Sequence, residues 1–274
     1  MSVEPVNVVV FAEDHADWWR DVLRSLLTGM LCGLKARPVD VAQALVFVPD
    51  EDIPDSVHQL SVGRAWKNPR DQSLTFTRWV KRFLERGWVV VVHFDGDCLW
   101  SERRQHDKAI NMAQFQREVL DRLEKNPPDA PDWRERLLLF VPHDELEAWL
   151  FQNTEAVRAV LRAAGRLNSG ADALLSDWAK DRAALDRTKS PKDQLKSPNG
   201  QILVETLCLV PLAEMDFPTA EVRALGSSYA QAMAGVRRCR ALRLAVQRAT
   251  KAKRRAEDAQ TWRSVRRDTP SERP

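Results

Sequence analysis

The chain has little of what would commit it to a membrane, a secretory route or a thiolate scaffold. Its four cysteines, Cys32, Cys98, Cys208 and Cys239, stand far apart and form no Cys-x-x-Cys pair, which argues against structural zinc and against a disulfide framework. No run approaches the roughly 18 apolar residues that a membrane span needs. The opening Met-Ser-Val-Glu-Pro-Val-Asn lacks the basic-then-apolar pattern of a signal peptide, so a cytoplasmic location is expected. No Gly-x-x-x-x-Gly-Lys-Ser/Thr loop occurs, and any ATPase activity would have to come from a separate protein. Internal repeats are also missing. What is present, 44% hydrophobic residues over 274 positions, suffices for a packed core and argues against wholesale disorder.

Charge is unevenly spread. The net charge is +3, yet residues 236–274 hold 13 Lys and Arg against 4 Asp and Glu, leaving the preceding body acidic. A basic tail on an acidic body suits a protein whose tail meets phosphate and whose body holds cations. It equally suits a solvated helix with no partner. Arg237, Arg238, Arg254 and Arg255 are the tail's candidate nucleic-acid contacts.

Strand-like apolar runs alternate with helical periodicity through the first 150 residues. Residues 6–12, a shorter run at 44–48, Trp88 to Val92 and Leu137 to Val141 read as strands, and the valine run from Val89 reads as one buried on both faces. Helices are expected from near Asp14–Asp17, over Thr75 to Arg86 with Gly87 as the stop, and around Phe115 to Leu123 before Asn126-Pro127-Pro128. Strand and helix in alternation predict an α/β fold, a parallel sheet flanked by helices, over residues 1–165. Residues 166–274 should form a mainly helical C-terminal region with a basic tail. Within it, Ile202 to Leu212 and Val222 to about Arg255 are expected helices, and Asp268 to Pro274 a frayed end.

Three of the strand candidates run into acidic residues: Glu13 and Asp17, then Asp95-Gly96-Asp97, then Glu145 and Glu147. In open parallel sheets the carboxyl ends of strands are where ligands bind. Carboxylates grouped there repel one another unless a cation compensates them, so their grouping points to Mg²⁺ or Mn²⁺. Glu145 and Glu147 would face different ways on a helix unless it starts between them. The competing explanation is local: Asp95 and Asp97 as caps, and Asp14, Asp17, Asp144, Glu145 and Glu147 as complements of helix dipoles. His15, His93 and His143 each adjoin an acidic cluster. His93 sits in a strand, where an interior histidine is the expectation, and no spacing among the three favours zinc. Trp18, Trp79 and Trp149 fall on apolar helix sides as core, whereas Trp100 and Trp262 lie in polar surroundings suited to stacking on bases.

Glu13-Asp14-His15-Ala16-Asp17 after a strand resembles the Glu-Gly-x-x-Asp opening of TOPRIM domains, and Asp95-Gly96-Asp97 resembles their Asp-x-Asp. Phe140-Val141-Pro142 through Glu145-Leu146-Glu147-Ala148-Trp149-Leu150 is similar to a segment of an uncharacterised TOPRIM-like bacterial family of the OLD-nuclease type. Pro191-Lys192-Asp193-Gln194-Leu195-Lys196 resembles a later basic segment of that family. The resemblance spans residues 6 to 196. Asp14 stands where most TOPRIM domains have Gly, and Gln152-Asn153 where the related family often has an acid.

The resemblance implies a TOPRIM-like nuclease: Mg²⁺- or Mn²⁺-dependent phosphodiester cleavage, DNA ahead of RNA, as an effector of bacterial anti-phage defence. Glu13 would act as general acid/base or bridging ligand and Asp95 and Asp97 as ligands. Asp17 and Glu147 would support them, with Glu145 the alternative to Glu147. Lys189, Lys192 and Lys196 would neutralise phosphates. A separate ATPase and a homo-oligomer are implied partners. The alternative is a catalytically inactive TOPRIM-like subunit that binds nucleic acid or protein.

Overall fold

A computed structural model of the chain describes residues 4–13, 17–34, 36–49, 52–53, 70–96, 110–143, 145–152, 154–188, 191–195 and 228–267. Among them lie four strands: β1 (Val6–Phe11), β2 (Leu45–Phe47), β3 (Val89–His93) and β4 (Leu137–Phe140). They form one sheet in the order β2-β1-β3-β4, and every pairing is parallel. The expected α/β architecture is therefore present.

The helices of the first half are α1 (Asp17–Cys32), α2 (Pro38–Ala44) and α3 (Arg70–Glu85). Next comes α4 (Ile110–Phe115), which passes through a π-helical stretch, Gln116–Leu120, into α5 (Asp121–Lys125). After α6 (Trp133–Arg136) and β4 come α7 (Glu147–Leu150), α8 (Thr154–Ala163), α9 (Ser169–Lys180), α10 (Arg182–Asp186) and α11 (Pro191–Gln194). The chain's last described elements are α12 (Ser228–Arg238) and α13 (Arg240–Arg267). The segments at 202–212, 222–227 and 268–274, and most of the loop at 50–55, lie outside the described residues. No helix among the described residues is long and apolar enough to cross a membrane.

Successive side chains of a strand point to opposite faces, and here both faces are covered. Val8, Val10, Val89, Val91, Leu138 and Phe140 pack into a core with α1, α2, α12 and α13. Val9, Phe11, Val90, Val92 and Leu137 pack into a second core with Phe76, Val80 and Phe83 of α3 and with Phe115, Val119 and Leu123. All five residues of β3 are buried, His93 included, as its place inside a strand suggests. Gly87 ends α3 with φ +75°, while the Trp88 N–H reaches back to the Phe83 carbonyl at 3.1 Å. That left-handed turn favours glycine and delivers the chain directly into β3.

Two polar ties fasten the C-terminal helices to the sheet layer. Trp149 is fully buried, and its indole N–H lies 3.2 Å from Asp186 Oδ1 and 2.8 Å from Ser228 Oγ. Asp186 also accepts from the Ser228 amide at 3.0 Å and hydroxyl at 2.7 Å, so one buried carboxylate joins α7, α10 and the start of α12. Rings of Phe140 and Tyr229 stand edge-on to Trp149. Trp149 is thus a core residue, as its helical position suggests.

The second tie is Asp40 on α2. It accepts from Arg37 Nε at 2.8 Å and Nη2 at 2.9 Å, and from the Thr250 hydroxyl of α13 at 3.0 Å. Its carboxyl is 1% exposed, and the Arg37 hydrogen bonds hold its pKa below the ordinary 3.8, with Thr250 and Lys253 adding to the shift. A lowered pKa means that this stabilisation is complete above the unfolded-state value and is lost as pH falls through the folded one. Replacing Asp40 by Ala should cost about 1–3 kcal/mol in urea unfolding at pH 7. The gap from wild type should close as pH is lowered below about 4, the unfolded carboxyl value.

Candidate active site

Parallel pairing of β1 with β3 brings their carboxyl ends side by side, with Phe11 opposite Val92. Glu13 follows β1 by two residues, and Asp95 follows β3 by two. The Asp95 amide donates to Glu13 Oε2 at 2.8 Å, linking positions 82 residues apart. Asn111, 1% exposed on α4, donates through Nδ2 to the Asp95 carbonyl at 3.1 Å. His93 Nε2 lies 3.4 Å from Asp95 Oδ1. Asp95 is therefore held by hydrogen bonds at its amide and its carbonyl, and its half-buried carboxyl group lies beside His93.

Gly96 sets the third wall. A Cβ at this position would collide with the Pro142 carbonyl oxygen and lie 2.6 Å from that of His143. Only a residue without a side chain allows the loop after β3 to press against the loop after β4. Beside this contact an open cleft of about 510 Å³ runs along β4 toward α12, with His143 at one end and Arg238 among its lining residues.

The acids expected to meet are placed as follows. The Glu13 carboxylate meets the backbone amide of Asp95. Glu145 and Glu147 are both buried, at 8% and 3% exposure, and α7 begins at Glu147. The helix does start between them, so helical geometry does not turn the two apart. Asp17 opens α1, but its side chain and all of Asp97 lie outside the described residues. Among the described residues no group of three His, Cys, Asp or Glu side chains is close enough to hold a metal unaided.

Lys189, Lys196 and the Lys192 side chain likewise lie outside the described residues, whereas Arg237, Arg238, Arg254 and Arg255 are exposed. Carboxylate oxygen is the kind of donor that a hard cation takes. Mg²⁺ is commonly held by one or two carboxylates, its other positions filled by water and substrate phosphate. Glu13 and Asp95 would be those carboxylates.

Asn111 is the residue that sequence reasoning missed. It lies 16 positions beyond Asp95 in a polar stretch with no motif, and only the fold brings it to the Asp95 carbonyl. His93 was recognisable as interior, but its approach to Asp95 was not.

Gly96→Ala should destabilise the protein by about 1–3 kcal/mol, the usual cost of forcing extra volume into a packed site. Urea unfolding measures it, and an unchanged midpoint would mean that the two loops are not in contact in solution.

No family model matches the chain, and no curated protein or solved structure is significantly similar to it.

Proposed function

We propose that the protein is a TOPRIM-like, Mg²⁺- or Mn²⁺-dependent phosphodiesterase that cleaves nucleic acid, DNA ahead of RNA. The observation that carries this reading is the Glu13–Asp95 hydrogen bond, because it joins the two acidic motifs that the resemblance assigns to one centre. A bond between an amide and a carboxylate is also a structural staple, so its chemical meaning depends on what surrounds it. Two features favour chemistry. The pair lies at the carboxyl edge of a parallel sheet, and an open cleft adjoins it.

In this scheme Glu13 and Asp95 would hold the cation, and Asp97, Asp17 and one of Glu145 or Glu147 would complete its surroundings. When bound, the cation supplies positive charge that stabilises the charge building on a phosphodiester. Glu13 would serve as general acid/base through its carboxylate, kept in place by the Asp95 amide. Asn111 would be a positioning residue, holding the Asp95 carbonyl, with His93 beside the carboxyl group. Lys189, Lys192 and Lys196 would bind phosphates flanking the cleaved one, and a separate ATPase would supply any energy-dependent step. Anti-phage defence is the biological setting that the resemblance suggests.

A second reading has its own support. No described trio of ligands exists, which suits a subunit that keeps the shape, binds nucleic acid or protein, and does no chemistry. A nicking assay on supercoiled plasmid separates the two. Mg²⁺ or Mn²⁺ should be required and EDTA should abolish nicking. Glu13→Gln, which keeps an acceptor for the Asp95 amide, and Asp95→Asn should each slow nicking by about 100-fold or more with unchanged melting temperature. Salt-sensitive binding without nicking in the wild type would instead establish the binding subunit.

A further inference from the structure

A second cleft, also about 510 Å³, is lined by Leu31, Leu34 and Ala36 from the end of α1 and beyond, by Arg237 of α12, and by one face of α13. It lies at the far end of α1 from Glu13, since that helix starts beside the carboxyl edge of the sheet and runs away from it. The α13 face consists of Arg243, Gln247, Lys251 and Arg254, at spacings of four, four and three residues. Such spacing keeps side chains in one row, here about 16 Å long at 1.5 Å per residue.

The chemistry of the lining is one-sided. Leu31, Leu34, Ala36 and Val246 make an apolar floor, four cations surround it, and no acidic residue lines it. Among the described residues none of Arg237, Arg243, Lys251 and Arg254 forms an ion pair. Two acids close by in the fold have other partners, Asp40 in Arg37 and Thr250, and Glu257 in Lys253 at 3.9 Å. Elsewhere this fold pairs its arginines readily, as Arg136 with Asp132, Arg122 with Glu118 and Arg158 with Asp172. Four like charges around a concavity repel one another, and an anion bound between them removes that cost.

Size and charge narrow the ligand. The volume falls within the usual range for small-molecule sites, about 300–1,000 Å³. One phosphate monoester carries about −1.5 to −2, roughly half of what four cations present, so two or more phosphates are needed. An apolar floor would be idle under a bare polyphosphate and under the backbone of a duplex, but it accepts the flat face of a base. The Gln247 amide, carrying both donor and acceptor, suits a base edge.

We propose that this cleft binds a nucleotide bearing two or more phosphates, with its base on the Leu31–Leu34–Val246 floor and its phosphates along Arg243, Lys251, Arg254 and Arg237. The ligand is either a free nucleoside polyphosphate or the phosphorylated end of a single strand. This proposal goes beyond the metal site and does not rest on it.

The test is fluorescence anisotropy on the full chain, with two probes: mant-ATP and a 5′-phosphorylated, 3′-fluorescein single strand of a dozen nucleotides. At least one should bind, and Arg243→Ala with Lys251→Ala should weaken it by about tenfold or more, as loss of charge-assisted contacts predicts. Both side chains are exposed, so the melting temperature should not move. Binding of mant-ATP assigns the free nucleotide; binding of the strand alone, not displaced by ATP, assigns the strand end. Glu13→Gln should bind like wild type, which separates failure here from failure of the metal site. The proposal falls if neither probe binds, or if the double variant binds unchanged. It also falls if tripolyphosphate competes as well as ATP, or if vesicles containing phosphatidylglycerol are bound through these residues in preference to both probes.

Discussion

A strand that meets no water on either face can offer polar chemistry only where it stops. Val89 to Val92 satisfy this constraint: each side chain lies in one of two cores, and all four pair in register with β1, three of them with β4 as well. The polar residues of this part of the chain must therefore collect at the carboxyl edge, and Asp95 is the second residue past it. Parallel pairing with β1 then brings Glu13 to the same edge without any sequence proximity. The acidic pair follows from the sheet, and the sheet follows from the apolar runs.

The edge is shaped by two unlike devices. The Asp95 amide and carbonyl are held by hydrogen bonds, which set direction. Gly96 is held by exclusion, since anything larger would push the β3 and β4 loops apart. Together they produce a crevice whose walls are fixed by backbone on one side and by buried Asn111 and His93 on the other. The two clefts differ accordingly. The one that reaches the carboxyl edge adjoins acids there and carries Arg238 toward the other end of β4, whereas the one at the other end of α1 has cations and no acid.

Much of this was legible in the residues because it depends on local pattern. The valine run, the glycine after α3 and the apolar spacing around Trp149 each report a strand, a stop and a core position without knowledge of the fold. The start of α3 was less legible: its first turn, Arg70-Asp71-Gln72, is polar, so apolar periodicity detects the helix only from Phe76 onward. The division between α12 and α13 at Cys239 was invisible for the opposite reason. Buried positions at Tyr229, Met233, Val236, Cys239, Leu242, Val246 and Ala249 keep three- and four-residue spacing straight across the break, so the pattern reads as one helix. Asn111 and the Arg37–Asp40–Thr250 tie were illegible in principle, because a polar partner 16 or 210 positions away leaves no periodic trace.

The Trp149–Asp186–Ser228 junction bears on how the chain is made. The four strands are complete once Phe140 has been synthesised, but the hydroxyl that meets the Trp149 indole lies 79 residues further on. At ordinary elongation rates of 5–20 residues per second, that interval is roughly 4 to 16 s. During it the sheet can assemble, while the face destined for α12 and α13 has nothing to cover it. The ribosome's pace across residues 150–228 therefore sets how long that apolar face stays open on the nascent chain.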